Sequence, residues 1–427
     1  MLQTQTFIKT RRDAPKDEVS VNAQLLIRGG FIDKLTSGVY SFLPLGFRVF
    51  SKIESIITQE MNAVGGQKML MPALQPKSLW EETDRWNNMD VLYKIQDRQE
   101  KEFALGSTHE EVITDIVRKH PLSYRDLPFS LYQIQTKFRD ELRAKSGILR
   151  GREFSMKDMY SFHKDEEDRK KYYETVKKAY LKIYRRCGLD AIVAEASGGS
   201  FSKEVSHEFQ VATDAGEDIV VVCLSCGFAQ NREVTDKKTG DLCLVCGKPV
   251  TEKKAIEVGN IFTLGTRFSQ AMKAYFTDKN GEEKPIVMGC YGIGLGRVMG
   301  TAVEANHDQR GIVWPREIAP FDAHLIVLES KDAKETKKAF AQAKKAYTAL
   351  AKVTIGKEKR LLEILYDDRT GVSAGQKFAD ADLIGCPWRI VISAKTIAAK
   401  SAEVKKRSSD KTQMVGLSQL VKFNYDR

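Results

Sequence analysis

No apolar run in the sequence approaches the roughly 20 residues that a membrane-spanning helix requires. The start, "MLQTQTFIKTRRDAPKDE", lacks the apolar centre of a secretory signal, and an acidic residue arrives by Asp13, which argues against an organellar presequence. These absences predict a cytoplasmic chain without a membrane partner. Internal repeats and low-complexity tracts are missing too. There is no GxxxxGK[ST] loop, and no GxGxxG opens an N-terminal βαβ unit, so Walker-type and Rossmann nucleotide sites are excluded. Cysteine is scarce, at seven in 427 residues. Four of the seven form two CxxC pairs, while Cys187, Cys290 and Cys386 stand alone. In a cytosolic chain that distribution argues for metal binding and against a disulfide framework.

What is present reads as globular. The apolar fraction is 42%, the charges are mixed, and the length suits two or three domains. The net charge of +11 favours a polyanionic partner, although a solvated basic surface has the same composition.

Local patterns place most elements. Val49, Ile53, Ile56, Ile57, Met61 and Val64 recur at helical spacing, "GG" at 65–66 ends that helix, and "QKMLMP" follows as a short strand closed by Pro72. "FSLYQIQTKF" (129–138) and "FSMKDMYSF" (154–162) read as the arms of an antiparallel hairpin. Between them lies a turn crowded with Arg139, Arg143, Arg150 and Arg152. Residues 165–187 form a charged helix. "KPIVMGCYGIGLGRVMGTAVEAN" reads as strand, glycine-rich turn and helix. After "GIVWPREIAPFD" strands and helices alternate as in a small α/β domain. The expected division is a domain of residues 1–318, carrying a cysteine-rich insertion at 219–258, followed by a domain at 319–427.

The chemistry-bearing residues converge on a phosphate ligand. The planar guanidinium groups of Arg139 and Arg297 can bracket a triphosphate with paired hydrogen bonds. Phe154 offers a stacking face, and the glycines of "GIGLGR" at 292–297 let backbone approach a ligand closely. Cys223, Cys226, Cys243 and Cys246 have CxxC–x16–CxxC spacing, which suits tetrahedral thiolate coordination of zinc. The competing reading is a metal-free loop with reduced thiols.

Together, the helix and strand ending at Pro72, "FRDE" with "RGREF", and "GIGLGR" resemble the three ordered signatures of the class II aminoacyl-tRNA synthetases. "TSGVYSFLPLG", "ALGSTHEEVITD", "GREFSMKDMYSFH", "VSHEFQV", "MGCYGIGLGR" and "DDRTGVSAGQKFADADLIG" narrow the resemblance to the prolyl-tRNA synthetases. The resemblance implies an α+β catalytic domain, with an antiparallel sheet flanked by helices, and a C-terminal α/β anticodon-binding domain. It implies proline, ATP, Mg²⁺ and tRNA(Pro) as ligands, and a homodimer.

Carried onto this chain, the catalytic residues are Arg139, Glu141 and Arg297. Arg150, Phe154, Gly292 and Gly294 join those three in binding ATP. Glu141 holds the adenine amino group or a metal. Thr108, Glu110, Arg139, Arg152, His207 and Glu208 bind proline; Phe209 is an apolar wall of that pocket or plain core. Arg143 touches the tRNA acceptor end or is a solvated surface arginine. Asp368, Arg369 and Lys377 read the anticodon, unless "DDR" is a local salt-bridged turn. The lysines of 334–345 read as a solvated helix face.

The chain departs from many bacterial prolyl enzymes, in which a large editing domain separates the second and third signatures. Arg152 to Gly292 leaves too little room for one, so hydrolysis of mischarged tRNA in cis is not expected. A threonyl enzyme is disfavoured because the cysteines lie in an insertion and not in the amino-acid pocket. A non-catalytic paralogue is disfavoured because Arg139, Arg150, Arg297 and "THE" are intact.

Overall fold

The computed structural model describes residues 1–142, 144, 146–199, 204–356 and 359–426. It divides into two compact units. One comprises Leu35–Tyr40 and Ile53–Thr301; the other comprises Met1–Lys34, Ser41–Lys52 and Ala302–Arg427. This division differs from the sequence-based boundary near 318. Residues 302–318 and the N-terminal segment pack with the C-terminal unit, because Met1, Thr4 and Thr10 hydrogen-bond to Ile364, Asp368 and Asp380.

The larger unit is built on a nine-stranded sheet. Its strands are β1 (Gly66–Lys68), β2 (Phe129–Phe138), β3 (Glu153–His163), β4 (Ala191–Ala196), β5 (Ser206–Ala212), β6 (Asp218–Val222), β7 (Ala229–Asn231), β8 (Thr251–Gly265) and β9 (Val287–Gly294). The spatial order is β5-β4-β7-β6-β8-β9-β3-β2-β1, with β5 also pairing to β8. The hairpin expected from sequence is present: β2 and β3 run antiparallel from Phe129↔Phe162 to Phe138↔Glu153.

Helix α1 (Pro44–Ala63) precedes β1, as its apolar spacing predicts. The strand after it is shorter than "QKMLMP" suggests. It pairs with β2 only as far as Lys68. Beyond that, side chains replace the ladder: Gln133 Oε1 accepts from Met71 N at 2.9 Å, and Gln135 Nε2 donates to Met71 O at 2.9 Å. Helix α2 (Glu110–Arg118) starts at the "THE" loop.

Helix α3 (Glu166–Arg186) has both ends specified locally. Asp165 caps the Asp168 amide, acids fill the first turn, and Arg185 and Arg186 fill the last, where each sign suits the helix dipole. Its inner face lays Tyr180 and Tyr184 on Phe209 of β5, with ring centroids 5.0 and 5.4 Å apart. Phe209 is fully buried, so it is core and not a pocket wall. At the same layer a Cβ on Gly259 would lie 2.1 Å from the Tyr184 hydroxyl, which is why β8 carries glycine there.

The expected glycine-rich turn is not a turn. Gly292 and Gly294 belong to β9, paired to Asp158 and Met156 of β3, and helix α4 (Leu295–Ala305) follows directly. Neither glycine takes left-handed backbone.

In the smaller unit, β10 (Ala323–Val327) runs parallel to β11 (Ile364–Asp367) and β12 (Trp388–Ile392). β13 (Ser401–Lys406) and β14 (Thr412–Gly416) continue the sheet antiparallel. Helix α5 (Ala333–Leu350) buries Ala339, Ala343, Ala346 and Leu350 and leaves its lysines exposed, as read from the sequence. Helix α6 (Ala374–Ile384) is capped by Ser373 and ends at Gly385, whose φ of 77° suits glycine.

If Phe209 is core, Phe209→Ala should destabilise the chain by about 3–5 kcal/mol. Chemical denaturation of the variant against the wild type measures it.

Candidate active site

A cavity of about 170 Å³ opens where β2, β3, β8 and β9 meet the start of α4. Arg139 sits just past β2, and its amide donates to Arg152 O at 2.8 Å, closing the hairpin. The Arg139 guanidinium lies 5.3 Å from the Phe154 ring centroid, and its buried Nε has no hydrogen-bond partner. Burial, then the charge of Arg297, lowers its pKa. Arg297, in the first turn of α4, donates from Nε to Leu149 O at 2.9 Å and pairs with Glu257 at 2.9 Å. Arg150 pairs with Glu141, also at 2.9 Å. All six of these charged and aromatic side chains line the cavity. Two like charges held this way are uncomfortable until an anion joins them.

Gly292 and Gly294 line the same wall. A Cβ at either would meet its nearest neighbour only at 3.7 or 3.5 Å, so packing does not demand glycine, and backbone is open to the cavity there.

The opposite end of the cavity presents a carboxylate. Thr108 Oγ1 donates to Glu110 Oε2 at 2.6 Å, and Arg85 reaches the same oxygen at 3.3 Å. Arg85 also pairs with Glu111 at 2.9 Å, and all three charged side chains are buried. Burial pushes the Glu111 carboxyl up, against the pull of Arg85. With Thr108 and Arg85 on one carboxylate oxygen, Glu110 is oriented to accept from an ammonium group.

Beneath this pair runs a second buried network. Lys137 Nζ donates to His109 Nδ1 at 2.7 Å, so the ring proton sits on Nε2 and is donated to Pro72 O at 3.1 Å. Burial and the Lys137 charge depress His109 to about 4, so the imidazole is neutral. Lys137 in turn pairs with Asp158 at 2.8 Å, and Tyr160 donates to Asp158 at 2.9 Å. The "THE" loop is thereby pinned to the strands that carry Arg139. Cys290 lies in the cavity wall with its thiol pKa raised by burial and by Glu110, so it is no nucleophile.

The four paired cysteines are also brought together. Their sulfurs lie within 4.8 Å of one another, with Cys223–Cys246 at 3.4 Å and Cys226–Cys243 at 3.7 Å. Tetrahedral zinc with bonds of about 2.3 Å needs sulfurs about 3.8 Å apart. The two loops are built alike, since Gly227 N donates to Cys223 O and Gly247 N to Cys243 O, each glycine at positive φ. The donor set fits zinc.

Comparison with known proteins gives the same family by independent routes. The family model "tRNA synthetase class II core domain (G, H, P, S and T)" matches residues 93–306, and "Anticodon binding domain" matches 322–424. The proline–tRNA ligase of Sulfurihydrogenibium sp. is 35% identical over 568 aligned positions, covering 99% of this chain and 98% of that one. The proline–tRNA ligase of Wolbachia sp. from Brugia malayi is 38% identical over 438 positions, covering 99% of each. The chain belongs to the proline–tRNA ligase family. Among solved structures, the Giardia lamblia prolyl-tRNA synthetase in complex with prolyl-adenylate has a TM-score of 0.76 at 20% identity, covering 93% of this chain and 74% of that one. At that identity it speaks for the fold, a class II synthetase core.

Several residues expected to serve this proline–tRNA ligase site lie elsewhere. Arg152 is tied to backbone, donating to Glu141 O at 3.0 Å and Ser37 O at 3.2 Å, and it holds the hairpin loop without lining the cavity. His207 shares a hydrogen bond with Tyr173 at 2.8 Å, and burial lowers its pKa. Glu208 stands behind the wall, accepting from Gln210, Asn231 and Asn260. Lys377 is fully buried, its ammonium donating to Val327 O and Arg369 O, so it cannot meet an anticodon base. Arg369 is locked to Asp367 and Asp380, and Asp368 accepts from Thr4, so both hold their own loop. Arg143 lies outside the described residues.

Sequence reasoning also missed Arg85, Glu257 and Asn260, the last two lining the cavity from β8. Glu257 had a readable signal, as a lone carboxylate in the apolar strand "AIEVGNIF". Arg85 had none, since its partners are 25 residues away.

Glu208 generates a pH prediction. Burial first, then Glu257, raises its pKa to about 7, against 4.5 for an ordinary glutamate. Between those values the native state keeps a proton that the unfolded chain has lost, so stability falls as pH rises to about 7 and then levels off. Melting curves from pH 5 to 8 should show that decline, and Glu208→Gln should flatten it.

Proposed function

We propose that this chain activates proline with ATP and transfers it to tRNA(Pro). The observation that carries this reading is a single cavity with arginines at one end and the Thr108–Glu110 pair at the other. Proline's secondary ammonium donates to Glu110 and Thr108. Its carboxylate then points toward Arg139, which also takes an oxygen of the ATP α-phosphate. Phe154 stacks on adenine, Glu141 accepts from its amino group, and Arg297 holds the γ-phosphate.

A carboxylate oxygen attacks the α-phosphorus in line, forming the C(O)O–P bond as the bond to the bridging oxygen of pyrophosphate breaks. Arg139 and Arg297 take up the negative charge that this displacement moves, and no side chain becomes covalently attached. In the second step the terminal adenosine hydroxyl of the tRNA attacks the prolyl carbonyl and AMP leaves. Glu141 and Glu257 supply the oxygen donors a hard cation prefers, and Mg²⁺ held there would neutralise phosphate charge.

Zinc in the Cys223, Cys226, Cys243 and Cys246 site would act as a structural cross-link. A homodimer is the family's arrangement, and Leu70, 72% exposed just past edge strand β1, supports an apolar contact there. Among the described residues no helix is long and apolar enough to cross a membrane, which supports the cytoplasmic reading. The 438-position match supports an enzyme without the cis editing domain; the 568-position match is to a longer relative.

Two measurements test this. Proline should drive pyrophosphate exchange into ATP above the other amino acids, and Arg139→Ala should lower that exchange by about 10²–10³-fold. Absence of exchange with every amino acid, from folded protein, overturns the reading. Elemental analysis should find about one zinc per chain, and Cys226→Ser with Cys246→Ser should release it. A chain purified metal-free yet equally stable would show the loop needs no metal.

A further inference from the structure

A cavity of about 720 Å³ lies in the smaller unit, where the segment 10–12 runs beside α6. Four arginines line it: Arg11, Arg12, Arg28 and Arg310. Arg12 and Arg28 have no ion-pair partner among the described residues, and the Arg28 Nε is buried without a hydrogen bond. Arg11 makes only a stretched contact to Asp33, at 3.5 Å between two half-exposed side chains.

Arg310 is already paired, with Asp308 at 3.3 Å and Asp410 at 3.1 Å, and the wall carboxylates are engaged as well. Asp380 is taken by Thr10 and Arg369, and Asp382 by Arg389. A Cβ on Gly375, in the first turn of α6, would meet nothing within 4 Å. Backbone there is open to close approach. Two guanidiniums without an ion-pair partner among the described residues and a third only weakly held, around a roomy cavity on a chain of net charge +11, call for phosphate oxygens.

We propose that this cavity seats backbone phosphates of the tRNA, a contact separate from the "DDR" loop and indifferent to base sequence. The inference rests on tRNA being the partner of this chain. Its origin is the N-terminal segment, which supplies two of the four arginines and is held in place by the Thr10–Asp380 bond at 2.7 Å and by the Arg11 amide on Arg28 O at 2.8 Å.

The test is binding of a tRNA(Pro) transcript and an unrelated tRNA to the full chain, titrated over KCl concentration, for wild type, Arg12→Gln and the double variant Arg11→Ala with Arg12→Ala. Both positions are exposed, so folding should be undisturbed. The double variant is expected to lose about tenfold in affinity for both RNAs, and the slope of log K against log[KCl] should shrink by about two, with Arg12→Gln near half that. Pyrophosphate exchange should be unchanged. An unaltered slope and affinity overturns the proposal. So does a loss confined to tRNA(Pro), which would mean base reading. Binding of inorganic phosphate or AMP that the double variant loses, with tRNA affinity intact, would assign the cavity to a small ligand. If the wild type itself fails to bind either tRNA, the functional reading fails instead.

Discussion

Everything in the larger unit is arranged around two positive charges that repel each other. Arg139 and Arg297 reach one small cavity from positions far apart in sequence, and the fold supplies only partial compensation through Glu257 and Glu141. In an effective interior dielectric of about 20, two such charges several ångströms apart cost on the order of a few kcal/mol. The nine-stranded sheet bears that cost because each arginine closely follows one of its strands, Arg139 after β2 and Arg297 after β9. The pairing of β2 with β3, and of β3 with β9, leaves the two guanidiniums no independent freedom. An anionic substrate therefore relieves strain that the protein holds ready, and the site is organised before the ligand arrives.

The other end of the cavity follows a different logic. Glu110, Glu111 and Arg85 are buried together, and the two carboxylates share the one guanidinium. One layer below, Asp158, Lys137, neutral His109 and the Pro72 carbonyl form a continuous hydrogen-bonded chain across the sheet. The side chains of Asp158, Lys137 and His109 are buried, so removing any one leaves its neighbour unsatisfied.

The hairpin, the capped helix α3, the α/β character of the C-terminal part and the class II family were all legible in the sequence, because each rests on local periodicity or an ordered motif. The failures were of residue type standing in for place. Lys377 suits RNA chemically, yet it lies four and seven residues before Ala381 and Ile384, on the buried face of α6. That spacing was visible and should have outweighed the side chain's charge. Arg152 and His207 gave no such warning. Their direction depends on which backbone carbonyl or tyrosine the fold presents, and those partners are remote in sequence. The cysteine spacing did foretell that the four sulfurs meet, because two loops of like build bring them together.

The two glycines at the end of β9 differ from Gly259. There a methyl group would collide with Tyr184 and the fold itself would object. At Gly292 and Gly294 the protein has room for a methyl group and no structural reason to refuse one. Any constraint that keeps glycine at those two positions has then to come from what fills the cavity, not from packing. A lineage that ceased to need the reaction would let them drift to alanine or serine while still folding well, so their identity records whether a given copy of this gene is still in use.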